Sequence, residues 1–271
     1  KTGMIDYKDN AFSILNYNVL YKNFTGSRRY YMDNTLDVIS KFNPDIMVLC
    51  ESKQFIEGEF KVNKSKKKFN NFTYISEYIH TKLNSNIEFY LDGSINKERV
   101  VYFNNGSGTL IYCSSKFTIN PDTIVTGNLE KSKFYIQDKT GSNKQGGRPF
   151  VGVKVTHKST GSDIYVIGGH LDHFYDLNIF KGQITEILNK MKYTTGKILL
   201  MGDFNELYKN KGFETIQIDN LATLKLYKDT PDSTCCGTFN DIQSGSWNKP
   251  VDLIYSNFNV KAGGFKKLAN N

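Results

Sequence analysis

The sequence predicts an α/β sandwich, and three features of its hydrophobic pattern indicate that class. Short apolar segments rich in β-forming residues recur along the 271 residues, whereas only two segments have the spacing of amphipathic helices. The segments are joined by a mixture of tight hairpins and longer crossovers, a combination typical of layered α/β folds. Because no repeat or long linker divides the chain, we expect residues 1–271 to form a single domain.

The first half of the chain predicts two buried strands with a helix between them. Residues 11–20 and 45–50 are rich in apolar β-formers, and the second segment is too apolar to lie at a sheet edge. Residues 31–42 carry apolar side chains at helical spacing, and the Asn-Pro pair at 43–44 predicts the end of that helix. Residues 61–68 are rich in lysine, which predicts a solvated loop or, alternatively, a phosphate-binding arm.

The second half predicts two hairpins, one helix and the final strands. Residues 100–103 and 109–113 flank a glycine-containing turn, and residues 150–155 and 163–168 form a second such pair. Residues 177–191 repeat apolar side chains at helical spacing, and residues 198–201 form a strand that leads into Gly202 and Asp203. Residues 251–256 and 258–261 predict the last two strands.

Composition indicates the partners and the location of the protein. A net charge of +8 favours nucleic acid, phosphorylated lipid or phosphorylated metabolites as partners, although a codon bias toward Lys and Asn explains the same charge. No apolar stretch approaches the roughly 18 residues of a membrane-spanning helix, so we expect no transmembrane segment. We also expect a monomer. The four cysteines lack zinc-binding spacing, and several Asn-x-Ser/Thr sequons favour secretion over an intracellular location.

Five predicted strand ends carry a polar side chain suited to phosphate-ester chemistry. These residues are Asn18, Glu51, His170, Asp203 with the neighbouring Asn205, and Asp252. Each alone has a structural explanation, such as a turn cap, a solvated strand end or a salt-bridge partner. Their joint occurrence, each in or directly after an apolar β segment, favours one shared functional site.

Hydrolysis of a phosphate ester explains why these residue types occur together. Mg²⁺ neutralises phosphoryl oxygens and prefers hard oxygen ligands, of which Glu51 supplies one; Mn²⁺ and Ca²⁺ are alternative occupants. Asp203 can orient and deprotonate the attacking water, and Asn205 can hold a phosphoryl oxygen without adding negative charge. His170 and Arg148 can donate hydrogen bonds to the charge that develops in the transition state.

Several segments resemble motifs of the endonuclease/exonuclease/phosphatase superfamily, in the superfamily's order along the chain. The most specific is LMGDFNE at residues 200–206, which resembles the GDFN signature. The others are ILNYNV at 14–19, PDIMVLCE at 44–51 with Cys50 in place of the usual Gln, GHLDH at 169–173, GTF at 237–239 and VDLIY at 251–255. The resemblance implies a four-layered α/β sandwich, with two mixed β-sheets packed face to face and flanking helices, and a metal-dependent phosphoesterase.

A closer similarity is to the deoxyribonuclease I-like members of the superfamily. The spacing from Arg148 to His170 resembles their arginine-bearing strand and active-site His, and Glu98 resembles the Glu that pairs with that His. The resemblance implies that Asn18 supports the metal site and that Arg148 clamps the phosphate. It also implies that Asp252 orients a second His near the C-terminus.

The C-terminal end departs from the family pattern. Family members end in a Ser-Asp-His motif, whereas this sequence stops at Asn271 and none of its four histidines follows Asp252. Either the natural chain continues beyond Asn271, which we expect, or this is a degenerate member. The single domain over residues 1–271 is therefore expected to lack its Ser-Asp-His segment. Asp172 and His173 are interpreted as structural residues.

The expected function is a Mg²⁺-dependent hydrolase of phosphodiester bonds, a DNase I-like endonuclease. Two alternatives remain. One is a phosphatase or phospholipase C-type enzyme acting on phosphoinositide or sphingomyelin, and the other is a catalytically degenerate binding module of the same fold. The sequence leaves the substrate open because selectivity depends on loops.

Overall fold

Two mixed β-sheets packed face to face form the centre of the protein. The computed structural model describes residues 2–4, 12–18, 44–52, 59–62, 65–68, 89–91, 94–96, 100–103, 108–128, 135–137, 143–145, 149–170, 177–204, 211–227 and 252–262. In the first half of the chain the strands are β1 (Thr2–Met4), β2 (Ser13–Asn18), β3 (Ile46–Cys50), β4 (Glu59–Val62), β5 (Ser65–Lys68), β6 (Phe89–Leu91), β7 (Ser94–Asn96), β8 (Val100–Phe103) and β9 (Thr109–Cys113). The later elements are β10 (Phe117–Asn128), β11 (Tyr135–Gln137), β12 (Asn143–Gln145), β13 (Pro149–His157), β14 (Asp163–His170), α1 (Leu177–Lys190), β15 (Lys197–Asp203), β16 (Thr215–Ile218), β17 (Ala222–Leu226), β18 (Asp252–Ser256) and β19 (Lys261–Ala262).

The first sheet contains the two buried strands predicted near the N-terminus. Its order is β19-β1-β2-β3-β9-β8-β6-β7, with β2 parallel to β3 and β8 antiparallel to β9. The parallel β2–β3 pair needs a crossover connection, for which the sequence predicts the helix at 31–42. That predicted helix lies outside the described residues.

The second sheet carries the later predicted elements. Its order is β10-β13-β14-β15-β18-β17-β16, and β13 and β14 form the expected hairpin. Helix α1 connects β14 to the parallel strand β15, as the helical spacing over 177–191 predicts. Within the described part of the chain, no helix is both long and apolar enough to cross a membrane.

Two expectations from the sequence are wrong. Part of the lysine-rich segment 61–68, predicted as a loop, is β-structure, because β4 and β5 pair antiparallel. Backbone pairing depends on N–H and C=O groups, so the charge of the side chains did not reveal it. The strand predicted over 258–261 is reduced to the start of β19. Residues 257–260 instead form a bend that starts at Asn257, whose side chain accepts a hydrogen bond from Ile198 N at 2.7 Å and donates one to Gly196 O at 2.8 Å.

The alternation of side chains along the strands builds two apolar layers. One layer fills the space between the sheets and includes Ile14 and Val48 from the first sheet and Val166 and Met201 from the second. The other layer packs α1 against the outer face of the second sheet. At Gly168 the sheets pack tightly, because an added Cβ would lie 3.0 Å from the Val48 Cγ1 atom.

At one end of the sandwich, the carboxylate of Asp45 links neighbouring segments of the first sheet through hydrogen bonds. It accepts hydrogen bonds from Ser13 N at 2.9 Å, Ser114 Oγ at 2.8 Å and Lys116 Nζ at 2.9 Å. These partners come from β2 and from the turn between β9 and β10. Asp45, part of the PDIMVLCE segment, therefore has a structural role at the start of β3.

We expect Asp45→Ala to lower the free energy of unfolding by about 1–2 kcal/mol, because the substitution leaves partly buried donors without their acceptor. Urea denaturation measures this change. Asp122→Ala is the matched control, since Asp122 lies on the exposed part of β10. Equal stability of the two variants would contradict the role given to Asp45.

Stability also depends on pH through His157, which is buried against the rings of Phe12 and Phe117. Burial lowers the pKa of His157 from its ordinary value of 6.5, and the charge of Lys116 acts in the same direction. A base with a lowered folded-state pKa stabilises the fold fully above the unfolded value and loses that contribution as pH falls through the folded value.

We therefore expect the free energy of unfolding to fall on acidification from pH 7 to pH 5, and to fall less in His157→Phe. Urea denaturation across this range measures the difference in slope between the two proteins. Parallel curves would show that His157 titrates alike in the folded and unfolded states.

Candidate active site

Polar residues from both sheets meet at one end of the sandwich. In the first sheet Asn18, at the end of β2, is opposite Cys50, at the end of β3. In the second sheet Asp203 lies between His170 on β14 and Asp252 on β18. Residues two apart on a strand share a face, so these side chains continue the inner face that is apolar farther along each strand. The polar ends predicted from the sequence therefore converge.

Two carboxylates flank the imidazole ring of His170. The Nδ1 atom lies 3.8 Å from the Oε1 atom of Glu51, and the Nε2 atom lies 3.8 Å from the Oδ2 atom of Asp203. One potential ligand atom from each of the three residues lies within 4.8 Å of the others. The side chains of His170 and Asp203 are buried, whereas that of Glu51 is 15% exposed. Solvent therefore reaches the cluster from the side of Glu51.

The amide of Asn18 joins the two carboxylates across the gap between the sheets. Its Nδ2 group donates to the Oδ2 atom of Asp203 at 2.7 Å and to the Oε1 atom of Glu51 at 3.2 Å. A neutral donor can hold two carboxylates close together without the charge of a lysine or arginine. The position of both acids thus depends on Asn18.

The backbone of Glu51 turns sharply as β3 ends. Its φ is +55°, in the left-handed region that non-glycine residues rarely adopt. The next residue is tied back to the first sheet, because Ser52 N donates to Gly108 O at 3.0 Å. The chain therefore leaves the sheet at Glu51, the residue whose carboxylate lies beside His170 and Asp203.

The glycine of the GDFN segment has a steric explanation. A Cβ atom on Gly202 would lie 1.8 Å from the carbonyl oxygen of Gly169, a distance that no side chain tolerates. The absence of a side chain lets β14 and β15 approach directly below His170 and Asp203. Strand packing therefore requires glycine at position 202. The close approach of the two strands positions Asp203 and His170, which follow Gly202 and Gly169 in the sequence.

Two inner-face residues near the cluster were not identified as site candidates from the sequence. Asn16 is buried, and its Nδ2 group donates to Gly202 O and to Leu253 O, both at 3.0 Å. Cys50, the last residue of the apolar strand β3, donates from Sγ to Gly169 O at 3.3 Å. The two-residue spacing from Asn16 to Asn18 was the available signal, since it places both amides on one face.

The thiol of Cys50 remains a hydrogen-bond donor in this environment. Burial raises the pKa of Cys50 well above its ordinary value, and the negative charge of Asp203 adds to the increase. A backbone hydrogen bond from Asp203 acts in the opposite direction. The protonated thiol is consequently the form that contacts Gly169 O.

A scan against family models matches residues 15–264 to the endonuclease/exonuclease/phosphatase family. This chain belongs to that family. Its members are metal-dependent phosphoesterases and nucleases, and the chain is an enzyme of this class. The match covers every residue of the cluster and every strand from β3 onward, so the resemblance of the sequence motifs is confirmed.

Solved structures of family members share the fold at low sequence identity. A Bacteroides vulgatus endonuclease/exonuclease/phosphatase is 18% identical with a TM-score of 0.55, over 90% of this chain and 85% of that one. The catalytic domain of human nocturnin, with bound sulfate, is 13% identical with a TM-score of 0.52, over 95% and 85%. ANGEL2, a 2′,3′-cyclic phosphatase solved with adenosine-2′,3′-vanadate, is 13% identical with a TM-score of 0.53, over 95% and 87%. No curated protein matches the chain.

The family fold accounts for the placement of most sequence candidates. Asn18, Glu51, His170 and Asp203 form one cluster, and Asp252 lies beside Asp203 on the adjoining strand. Several other candidates lie outside the described residues, so their expected roles stay predictions. These are Glu98, Arg148, Asn205, Asp172 and His173.

The donor set of this family member fits a hard divalent cation. Glu51, Asp203 and Asp252 place three carboxylates at one end of the sandwich, and the two aspartates are buried. Buried carboxylates repel one another unless a cation or donor compensates their charge. Oxygen ligands of this kind are those preferred by Mg²⁺, Mn²⁺ and Ca²⁺. Glu51 is therefore the residue that would ligate the metal, with the Asn18 amide beside it supporting the site.

We expect Glu51→Gln to weaken Mn²⁺ affinity at least about tenfold, because it removes one charged oxygen ligand. Isothermal titration calorimetry with Mn²⁺ measures the change without any substrate. Glu186→Gln is the matched control, since Glu186 pairs with Lys190 on helix α1. Equal Mn²⁺ affinity in both variants would exclude Glu51 as a ligand.

Proposed function

We propose that this chain is a Mg²⁺-dependent hydrolase of phosphodiester bonds, a DNase I-like endonuclease. The observation that carries the proposal is the convergence of Glu51, His170 and Asp203 at one end of the sandwich, with their potential ligand atoms within 4.8 Å of one another. A phosphodiesterase needs a cation site, a proton acceptor and a hydrogen-bond donor close together, and this cluster offers all three.

The residues of the cluster divide these tasks. Bound Mg²⁺ would supply charge neutralisation at the phosphoryl oxygens. Asp203 would accept a proton from the attacking water, since its Oδ2 atom faces the centre of the cluster. His170 would donate a hydrogen bond to the charge that develops on the phosphate or the leaving group. Asn18 keeps Asp203 and Glu51 at a fixed separation through its two hydrogen bonds.

A polyanionic substrate suits the charge of the chain. The net charge of +8 attracts nucleic acid and raises its rate of association. We propose that Arg148 and Asn205 hold substrate phosphate, that Glu98 orients His170, and that Asp252 acts beside Asp203 on the adjoining strand. We also propose a single domain over residues 1–271 that acts as a secreted monomer.

Plasmid nicking tests the function. We expect the chain to convert supercoiled plasmid to open circles with Mg²⁺, and to stop when a chelator removes the metal. Asp203→Asn should lower the rate about 10²- to 10⁴-fold, because the proton acceptor is lost. Asp122→Asn is the control for an exposed carboxylate of β10. Metal-dependent nicking that Asp203→Asn leaves unchanged would refute the site assignment.

Parallel assays with other substrates test the alternatives. Release of inorganic phosphate from phosphoinositide, or of phosphocholine from sphingomyelin, without nicking would replace the endonuclease with a phosphatase or phospholipase C-type enzyme. Binding of DNA without turnover of any of these substrates would indicate a catalytically degenerate module. Parallel reactions with Mg²⁺, Mn²⁺ and Ca²⁺ would identify the effective metal.

A further inference from the structure

Three backbone carbonyls of the second sheet lie next in sequence to three site residues. Gly169 precedes His170, Gly202 precedes Asp203, and Leu253 follows Asp252. All three carbonyl oxygens accept a hydrogen bond from a side chain of the first sheet. Such bonds are additional to the strand pairing, because their donors belong to the opposite layer.

The donors are two residues of the inner face of the first sheet. Asn16 contacts Gly202 O and Leu253 O, each at 3.0 Å, and Cys50 contacts Gly169 O at 3.3 Å. Asn16 lies on β2 two residues before Asn18, and Cys50 lies on β3 directly before Glu51. Each donor is therefore close in sequence to a site residue of the first sheet: Asn16 to Asn18, and Cys50 to Glu51.

Hydrogen bonds between the two sheets restrict sliding of one sheet over the other, which apolar packing alone does not. The layer between the sheets is mostly aliphatic, and aliphatic contacts tolerate small sliding movements because they are not directional. Hydrogen bonds in a dry interior are stronger than in water and require defined geometry. A slide of about 1 Å between sheets would separate catalytic groups and can cost about 100-fold in rate.

We propose that Asn16 and Cys50 are positioning residues that clamp the two sheets in the alignment required for catalysis. The clamp holds the backbones of His170, Asp203 and Asp252 against the strands that carry Asn18 and Glu51. Its role in catalysis rests on the proposed function. Cys50 stands where the family usually has Gln, so this chain uses a thiol at that position in place of a side-chain amide.

The chain contains matched controls for both residues. Cys113 is also a buried cysteine outside any disulfide, and it lies on the neighbouring strand β9 at the opposite end of the sheet, opposite Ile46. Asn257 also bonds two backbone groups through its side-chain amide, at the opposite end of β15. Substitution of either control removes the same atoms far from the cluster.

The cysteine comparison separates the loss of a buried sulfur beside the cluster from the same loss at the opposite end of the sheet. We expect Cys50→Ala to lower kcat about tenfold or more with little change in KM, and to weaken Mn²⁺ affinity, because the alignment of His170 and Asp203 relaxes. Cys113→Ala should leave kcat and Mn²⁺ affinity unchanged. Cys50→Ser retains a donor toward Gly169 O and should restore most of kcat.

The asparagine comparison tests the other half of the clamp. We expect Asn16→Ala to lower kcat and Mn²⁺ affinity, whereas Asn257→Ala should lower only the free energy of unfolding. If Asn16→Ala does not fold, the Cys50 series decides. Effects of Cys50→Ala no larger than those of Cys113→Ala, or no rescue by Cys50→Ser, would overturn the proposal.

Failure of the proposed function gives a different result. In that case Asp203→Asn leaves turnover unchanged, or the wild-type chain shows none. Mn²⁺ affinity then remains the readout for the clamp, because it requires no substrate. Weaker Mn²⁺ binding in Cys50→Ala than in Cys113→Ala would still support the clamp, and equal binding would refute it.

Discussion

The direct packing of the two inner sheet faces is the constraint on which the candidate site depends. At Gly168 an added Cβ would lie 3.0 Å from the Val48 Cγ1 atom, tighter than an ordinary van der Waals contact, so the two inner faces are in close contact there. The bond from Asn18 to Asp203, at 2.7 Å, spans this same gap. A wider gap would break that bond and would separate acids that belong to different sheets.

Much of the site was predictable because a strand has a period of two residues. Alternate apolar residues of a strand identify its inner face. A polar residue two positions beyond the last of them lies on that same face. This reasoning correctly placed Asn18, His170 and Asp203 together, although they lie far apart in sequence. Glu51 was predicted on the same grounds, yet it reaches the cluster through a turn of the backbone that no pattern of hydrophobicity encodes.

The residues that sequence reasoning missed are those whose role depends on the opposite sheet. Cys50 has the apolar neighbours of an ordinary core residue, and only the three-dimensional structure shows a carbonyl oxygen of β14 beside its sulfur. Asn16 has the same explanation, because its acceptors are 186 and 237 residues away in the chain. The β4–β5 hairpin was missed for a related reason, since strand pairing is a property of two backbones and the sequence indicated only lysine side chains.

The positive φ of Glu51 places stability and activity in competition at one residue. A non-glycine side chain in the left-handed region costs on the order of 1 kcal/mol or more, and glycine would adopt the same turn without that cost. Selection for a more stable fold alone would therefore favour loss of the carboxylate. A library of variants screened for heat resistance would enrich glycine at position 51. The most heat-stable proteins recovered would lack the Glu51 carboxylate that would ligate the metal.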